Sequence, residues 1–269
     1  MQKSSFHEDF TDIIFSVSDG VAHVVINRPE RMNAFRSETM MEMVVALERA
    51  ATDPEVGVIV LTGAGNRAFC AGGDVEWEAN GGLEDRKGDD AIRRVYTAMR
   101  RGNKPIIARV NGYAIGGGNH LAYMCDFTIA SDNAIFGQNG PRVASPAEGW
   151  IVSYLVRVLG AKRAREMWML CRRYPASLML EWGLVNAVVP QEDLDEEVRQ
   201  WCEELLALSP TALKTIRASF EDEYAALRDR QDQRNFLAEL NPSFFESGEH
   251  AEGAGAFLEK RRPEFQRWR

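Results

Sequence analysis

Several classes of protein are excluded by what this 269-residue sequence contains little of or lacks. Its four cysteines, Cys70, Cys125, Cys171 and Cys202, are scattered and form no CxxC pair. Such spacing favours free thiols in a reducing compartment over a disulfide framework. No apolar run approaches the ~20 residues that a membrane span requires, and residues 1–12 lack the apolar core of a signal peptide. The sequence therefore predicts a cytoplasmic protein that does not enter a membrane.

The sequence also has fewer positive than negative side chains: it contains 32 lysines and arginines and 40 aspartates and glutamates, which gives a formal net charge of −8. A nucleic-acid-binding protein needs a basic surface to neutralise phosphates, so no nucleic-acid partner is expected. The Gly-Lys-Ser/Thr of a phosphate-binding P-loop is absent, which disfavours nucleotide hydrolysis. With 45% apolar residues and no compositional linker, the chain has the composition of an ordinary globular domain.

The first part of the chain predicts an α/β fold. Residues 13–18 and 21–27 flank Asp19-Gly20, a strong signal for a two-residue hairpin. Ser37 is a candidate cap for a helix whose apolar residues recur at helical spacing, and residues 56–61 then form a continuous apolar strand. The order strand, helix, strand favours a right-handed crossover and a parallel sheet.

Two glycine-rich loops follow buried strands. Three consecutive glycines, Gly116 to Gly118, lie between an apolar strand at residues 105–110 and an apolar segment at residues 121–125. Glycines permit close approach of the main chain, and a turn that opens a helix presents N–H groups able to hold an anion or an oxyanion. A tight turn that only packs closely is the alternative. The earlier loop, residues 63–74, begins with a loose GxGxxG/A pattern but does not open into a helix, which disfavours a nicotinamide cofactor.

The remaining segments predict a surface loop and a helical C-terminal region. Residues 76–90 are charged and contain Gly81-Gly82, which indicates a mobile loop or lid. The sequence Ser145-Pro146-Ala147-Glu148 matches a capping box and predicts a helix beginning there. From residue 191 onward the pattern is helical, so residues 191–269 are interpreted as a helical extension of one domain.

The pairing of the two glycine loops resembles the crotonase, or enoyl-CoA hydratase/isomerase, superfamily. The loops concerned are Ala68-Phe69-Cys70-Ala71-Gly72-Gly73-Asp74 and Asn111-Gly112-Tyr113-Ala114-Ile115-Gly116-Gly117-Gly118. The resemblance covers residues 13–269. It is greatest to the branch of 1,4-dihydroxy-2-naphthoyl-CoA synthase and 2-ketocyclohexanecarboxyl-CoA hydrolase, on the motifs at residues 135–141, 164–168, 183–186 and 260–265.

The resemblance implies a fold, an assembly and a substrate class. Residues 1–190 would form a crotonase-like spiral of ββα units, and residues 191–269 a C-terminal helical trimerisation region of the same functional unit. The chains would assemble as trimers or as hexamers made of two trimers. The substrate would be a coenzyme A thioester, with no metal or redox cofactor. By position, Gly73 and Gly117 would donate the two backbone N–H groups that hold the thioester oxygen.

The same resemblance implies which residues bind the substrate. The positions expected to contact coenzyme A or the substrate are Arg31, Ala34, Ala71, Gly72, Asp74, Tyr113, Ile115, Gly116, Ser145 and Lys260. For Arg31 and Lys260, a solvated surface position is the alternative. The acyl group is expected to meet three aromatic residues, Trp77, Trp150 and Phe245.

The sequence departs from the superfamily where the hydratases have their two catalytic glutamates, because His120 and Gly140 stand there. Gln138, Gly140 and Trp168 match a site that holds bicarbonate as a base in some naphthoyl-CoA synthases, with ordinary packing as the alternative. The aspartate and tyrosine of that branch align with Ala147 and Phe245. Both polar groups are missing, which argues against naphthoyl-CoA synthase activity.

Two residues are candidates for the catalytic acid or base, each with a structural alternative. Glu148 aligns with the carboxylate that dienoyl-CoA isomerases and chlorobenzoyl-CoA dehalogenases use, but it would also complete the capping box with Ser145. His120, with an ordinary pKa near 6.5, suits proton transfer at neutral pH. A hydrogen-bonded core histidine is the alternative there.

The sequence as a whole predicts an acyl-CoA enzyme that stabilises an enolate-like intermediate in an oxyanion hole. Hydration or isomerisation of a cyclic or aromatic-derived acyl-CoA is the leading prediction, with Glu148 as acid or base. Hydrolytic ring opening of a cyclic β-keto acyl-CoA is the second. A non-catalytic crotonase-fold protein that binds acyl-CoA or RNA is the third, and the acidic charge argues against its RNA form.

Overall fold

The computed structural model describes residues 10–82, 87–232 and 235–268. The chain enters the fold through an antiparallel hairpin of β1 (Ile13–Ser18) and β2 (Val21–Ile26), in which Ser18 pairs with Val21. Asp19 and Gly20 both have positive φ values, 51° and 82°. A two-residue turn of this kind matches the natural twist of the strands that it joins, and the predicted hairpin is confirmed.

The larger sheet has six strands in the order β1-β2-β3-β5-β7-β10. From β2 onward the neighbours are parallel, and every residue of β3 is buried. The predicted strand at residues 56–61 is shifted to 58–63. The other strands of this sheet are β3 (Val58–Gly63), β5 (Ile106–Val110), β7 (Phe127–Ser131) and β10 (Ala187–Val189).

A second sheet of four short strands has the order β4-β6-β8-β9. Its first three members follow β3, β5 and β7 along the chain and pair in parallel with each other. Strand, short strand and helix therefore recur, which is the ββα unit expected from the sequence, and the α/β fold class is confirmed. The strands of this sheet are β4 (Ala68–Cys70), β6 (Tyr113–Ile115), β8 (Ile135–Gly137) and β9 (Tyr174–Pro175).

Helices cover the sheets and make up most of the C-terminal third. Helix α1 buries the predicted apolar face, including Met40, Met43 and Leu47, but its cap residue is Arg36 and not Ser37. The helices of the described ranges are α1 (Ser37–Thr52), α2 (Val75–Trp77), α3 (Lys87–Arg101), α4 (Gly117–Met124), α5 (Gly140–Val143), α6 (Trp150–Leu159), α7 (Ala161–Leu170), α8 (Ala176–Trp182), α9 (Leu194–Leu206), α10 (Pro210–Asp232), α11 (Phe236–Leu240) and α12 (Glu249–Leu258). In these ranges no helix combines the length and apolar character that crossing a membrane requires.

Arg217 of α10 anchors the C-terminal helices to the core. Its buried guanidinium forms an ion pair with Asp126 at 2.9 Å and donates to the carbonyl of Met99 at 2.6 Å. The Arg100 carbonyl, at 3.1 Å, is a further acceptor. A buried charge is stable only with such partners, so this side chain fixes α10 against the end of α3.

Candidate active site

A cavity of about 920 Å³ opens between the two glycine loops and the C-terminal helices. Its size is that of a small-molecule site. Most residues singled out from the sequence lie along its wall: Arg31, Ala34, Ala71, Gly72, Gly73, Asp74, Trp77, Gly116, Gly117, His120, Gln138, Gly140, Ser145, Glu148, Trp150, Trp168 and Phe245. Three lie elsewhere: Ile115 is buried behind the loops, Tyr113 is exposed at the start of β6, and Lys260 is exposed just after α12.

The glycines let the two loops approach each other. Gly72 has a φ of 96°, and a Cβ built on it would lie 2.9 Å from the Ile115 carbonyl oxygen and 3.2 Å from the Gly117 nitrogen. A Cβ on Gly118 would lie 1.9 Å from the Cys70 carbonyl oxygen. No side chain fits in these places, so the triplet serves a close approach of backbone to backbone.

Two backbone N–H groups at this junction are not used by the fold. The Phe35 N–H donates to Gly72 and the Asp74 N–H donates to Phe35, both at 2.8 Å, which leaves the Gly73 N–H between them without an acceptor. Gly117 is the first residue of α4, where a helix has no internal acceptor for its N–H groups. Within the described ranges, neither N–H has a hydrogen-bond partner. Both glycines line the cavity, an arrangement suited to holding an oxyanion.

His120 is held at both ring nitrogens. Its Nδ1 lies 2.8 Å from the Tyr96 hydroxyl, and its Nε2 lies 3.1 Å from Oε1 of Gln138. Since Oε1 accepts, Nε2 carries the hydrogen and Nδ1 accepts from the tyrosine. Burial lowers the pKa of His120 to about 4, although the Gln138 hydrogen bond opposes this shift. The side chain is therefore neutral at pH 7, and this geometry agrees with the core-histidine alternative.

Two buried donors beside His120 have no partner among the described residues. They are Nε2 of Gln138 and Nε1 of Trp168. The Trp168 ring centre is 5.1 Å from that of His120, and both residues line the cavity. Buried donors without acceptors are costly in a folded protein. Each can donate to an acceptor atom of a ligand, an anion or a water molecule.

The predicted capping box at residues 145–148 is wrong. Helix α6 begins only at Trp150, after Gly149 turns the chain at a φ of 73°. Glu148 instead reaches the start of α11, where its Oε2 accepts the Leu237 N–H at 2.7 Å. Ser145 hydrogen-bonds to Glu78. The carboxylate therefore caps a helix that lies 89 residues away in sequence while it lines the cavity.

Glu78 was missed by the sequence analysis because it lies in the stretch interpreted as a mobile loop. Two pieces of that stretch are described: α2 leads into an irregular turn, Glu78–Gly82, and residues 87–90 belong to α3. Asp74 caps α2 through its side chain, and its carbonyl accepts the Glu78 N–H at 2.9 Å. An aspartate cap followed four residues later by an acidic side chain is the signal that could have identified Glu78.

Glu78 is buried on the cavity wall, directly beside Gly73. A Cβ on Gly73 would lie 1.9 Å from Oε1 of Glu78, so the carboxyl occupies the space that the glycine leaves. Burial raises the pKa of Glu78; the hydrogen bond from Ser145 and the nearby His250 lower it, while Asp74 raises it further. The net shift is upward, which favours the protonated acid more than in an exposed glutamate.

Two ion pairs lie along the same wall of the cavity. Arg28 holds Asp74 at 2.9 Å, with both side chains largely buried. Arg31 pairs with Glu76 at 2.8 Å, and here both side chains are about half exposed. An exposed pair of this kind is weakly held, so the guanidinium of Arg31 is accessible at the cavity.

Comparison of the chain with protein families identifies the family to which it belongs. The family model described as enoyl-CoA hydratase/isomerase matches residues 16–268. The chain belongs to the enoyl-CoA hydratase/isomerase family. It therefore has the crotonase fold and is an acyl-CoA enzyme of this family. The two glycine loops carry the resemblance that the sequence predicted, and the superfamily assignment is confirmed.

Solved structures of family members agree over nearly the whole chain. An enoyl-CoA hydratase from Mycobacterium avium subspecies paratuberculosis is 30% identical, with a TM-score of 0.82, covering 95% of this chain and 99% of that one. A structure titled as an enoyl-CoA hydratase subunit from Geobacillus kaustophilus is 32% identical, with a TM-score of 0.75 and coverages of 96% and 98%. An enoyl-CoA hydratase from Bacillus anthracis is 28% identical, with a TM-score of 0.74 and coverages of 94% and 98%.

Proposed function

We propose that this family member polarises a coenzyme A thioester between the N–H groups of Gly73 and Gly117 and stabilises the resulting enolate. The observation that carries the proposal is the pair of unused donors on two touching loops that line one cavity. Negative charge develops on the thioester oxygen when the neighbouring carbons react. Each such donor typically contributes about 2.7–4 kcal/mol in the transition state.

The acyl group is proposed to be cyclic or derived from an aromatic ring. Trp77, Trp150 and Phe245 line the cavity, and the Trp150 ring packs edge-on at 6.0 Å from that of Tyr96. Flat aromatic walls suit a planar or ring-shaped acyl group more than a long flexible chain. Hydration or isomerisation of an enoyl-CoA of this kind is the leading reaction, and Glu148 is the proposed acid or base.

A second candidate reaction is hydrolytic ring opening of a cyclic β-keto acyl-CoA. It is supported by the unpartnered donors of Gln138 and Trp168. Ring opening creates a free carboxylate, and two buried N–H groups are suitable partners for its oxygens. Bicarbonate in the same place, beside Gly140, would serve either reaction as a base. Neither reaction needs a metal or a redox cofactor.

Coenzyme A is proposed to lie along the wall formed by the first glycine loop. The cavity residues proposed to contact it or the thioester are Arg31, Ala34, Ala71, Gly72, Asp74, Gly116 and Ser145. Contacts from Tyr113 and Ile115, which lie off the cavity wall, stay predictions from the resemblance. Lys260 lies away from the cavity in the isolated chain, and its contact with a phosphate is proposed together with assembly into trimers or hexamers. A cytoplasmic location is part of the same proposal, as the four cysteines are free and buried.

A panel of cyclic enoyl-CoA and cyclic β-keto acyl-CoA thioesters tests the reaction. Hydration and ring opening each add the mass of one water, whereas isomerisation leaves the mass unchanged. A new titratable carboxylate distinguishes ring opening from hydration. We expect Glu148→Gln to reduce the rate by at least about 100-fold, the usual contribution of a positioned acid or base. The amide oxygen can still accept the Leu237 N–H, so the melting temperature should stay within a few degrees. A variant with full activity but a much lower melting temperature would leave Glu148 as a helix cap only.

A further inference from the structure

We propose that Glu78 is a catalytic residue whose carboxyl group exchanges a proton with the α-carbon of the bound acyl thioester. This proposal rests on the proposed function, because it needs the thioester oxygen to lie at Gly73 and Gly117. The sequence analysis placed the candidate acids and bases at Glu148 and His120, whereas this proposal gives the transfer of the α-carbon proton to Glu78.

The position of Glu78 relative to Gly73 is the first support. Its Oε1 occupies the space in which a Cβ of Gly73 would stand, and the N–H of the same glycine is an unused donor facing the cavity. A thioester oxygen held by that N–H brings its carbonyl carbon, and hence the α-carbon, close to this residue. The Glu78 carboxyl group thus lies beside the proposed oxyanion hole, on the side of the atom that gains or loses a proton.

Two other titratable side chains of the cavity differ from Glu78 in what holds them. Both nitrogens of His120 are hydrogen-bonded to Tyr96 and Gln138. One oxygen of Glu148 accepts from Leu237 at the far wall formed by α11. Glu78 is hydrogen-bonded to the Ser145 hydroxyl, a partner that can donate to a carboxylate or accept from a carboxylic acid. Both protonation states of Glu78 therefore keep a hydrogen bond.

The surroundings of Glu78 suit a group that alternates between acid and base. Burial and the carboxylate of Asp74 raise its pKa, while Ser145 and His250 lower it. His250, on α12, is fixed by the Ala144 carbonyl at 2.8 Å from its Nδ1. Its Nε2 lies 3.4 Å from the carbonyl oxygen of Glu78. The net effect raises the pKa of Glu78 above that of an exposed glutamate and so brings it closer to neutral pH. Proton transfer at neutral pH is most efficient for a group whose pKa lies close to that pH.

The proton balance in hydration divides the work between two carboxyl groups. The oxygen of a water molecule bonds to the β-carbon as Glu148 takes one of its protons. The π electrons of the double bond move to the α-carbon, which takes the proton of Glu78. Three bonds break, namely the π bond, one O–H bond of water and the O–H bond of Glu78. Three bonds form, namely C–O, C–H and the O–H bond of Glu148. Glu148 ends protonated and Glu78 ionised, and proton exchange with solvent restores both.

Deuterium exchange at the α-carbon tests Glu78 without requiring a hydration substrate. Cyclohexanecarbonyl-CoA, a saturated thioester with one α-proton, is incubated with the enzyme in D₂O and followed by mass. We expect the wild type to add one mass unit and Glu78→Gln to do so at least about 100-fold more slowly, with unchanged thioester affinity by calorimetry. Glu203→Gln, on an exposed surface of α9, is the matched control and should exchange like the wild type.

Each outcome decides between the two proposals. Exchange in Glu78→Gln at the wild-type rate overturns the role of Glu78 and leaves the proposed function standing. Bound thioester with no exchange in the wild type overturns the proposed function itself, and the role of Glu78 with it.

If Glu78→Gln does not fold, Ser145→Ala provides the test. Removing the hydroxyl removes a hydrogen bond that lowers the pKa of Glu78. Exchange needs the ionised carboxylate, so its rate rises with pH through that pKa, and this limb should move to higher pH in the variant. An unmoved limb would exclude Glu78 as the base.

Discussion

At the residue scale, one glycine links the architecture of the site to its chemistry. Gly73 leaves room for the Glu78 carboxyl and presents an N–H that the fold does not use. A substitution at Gly73 would therefore disturb both groups at once. Glu148 also has two places in the structure, because its carboxylate caps α11 and lines the cavity.

His120 gives a residue-scale prediction about stability and pH. Its pKa is about 4 in the folded state against about 6.5 in the unfolded chain. The unfolded state binds the extra proton in this window, so the stabilisation is complete above pH 6.5 and is lost as the pH falls towards 4. Between pH 7.5 and pH 5 we expect a loss of about 2 kcal/mol from this residue. Urea unfolding of wild type and His120→Gln at both values measures it.

All titrating groups other than His120 are shared by the wild type and His120→Gln, so the difference between their free energies of unfolding isolates the contribution of His120. The stability advantage of the wild type over His120→Gln should shrink from pH 7.5 to pH 5. An advantage that is equal at the two pH values would mean that His120 is not held neutral by its burial.

At the element scale, α12 closes the site from the C-terminal side. His250 on this helix contacts the carbonyl oxygens of Ala144 and Glu78. The helix can pack this closely on α5 because Gly253 faces it: a Cβ there would lie 2.5 Å from the Val143 carbonyl carbon. Small residues at a helix contact allow such an approach, and a larger one displaces the helix.

Two glycines of α12 form a matched pair that tests this packing. Gly253→Ala places a methyl group against α5, and we expect the free energy of unfolding to fall by about 1–3 kcal/mol. Gly255→Ala has no atom within 4 Å of the new Cβ. It should raise the stability by up to about 1 kcal/mol, because alanine favours a helix over glycine. Denaturant titration of both variants distinguishes close packing from a general intolerance of α12 to alanine.

At the scale of the whole molecule, several large apolar side chains of the isolated chain face solvent. They include Leu240 at 85% exposure, Met169 at 70% and Phe220 at 60%. These residues lie on α11, α7 and α10, outside the two sheets. Exposed apolar side chains of this size mark contact surfaces when they gather on one face. The trimer or hexamer expected from the resemblance remains a prediction.

We expect light scattering of the purified protein to give three or six times the 30.2 kDa mass of one chain. Leu240→Lys, at the most exposed of these positions, should weaken the assembly if α11 lies at the contact, because a charge is costly to bury unpaired. Glu203→Lys, a charge change on exposed α9, is the control. A mass of one chain at micromolar concentration would contradict the prediction.

Much of the fold and part of the site follow from local sequence. Asp19-Gly20 specifies a hairpin because both residues tolerate positive φ, and the apolar spacing in α1 matches one helical face. The glycine loops were found because glycine is required wherever backbone meets backbone. The four strands of the second sheet escaped notice, since segments of two or three residues carry too little periodicity to be recognised.

The roles of the charged residues were decided only by the tertiary structure. The partner of Glu148 is 89 residues away, and the partners of His120 are 24 and 18 residues away. The sequence by itself determined the family, the two loops and the composition of the core, because glycine conformation and apolar period are local properties. Burial, hydrogen-bond partners and the resulting pKa shifts arise between distant segments, and these make Glu78 a candidate acid and His120 a neutral core residue.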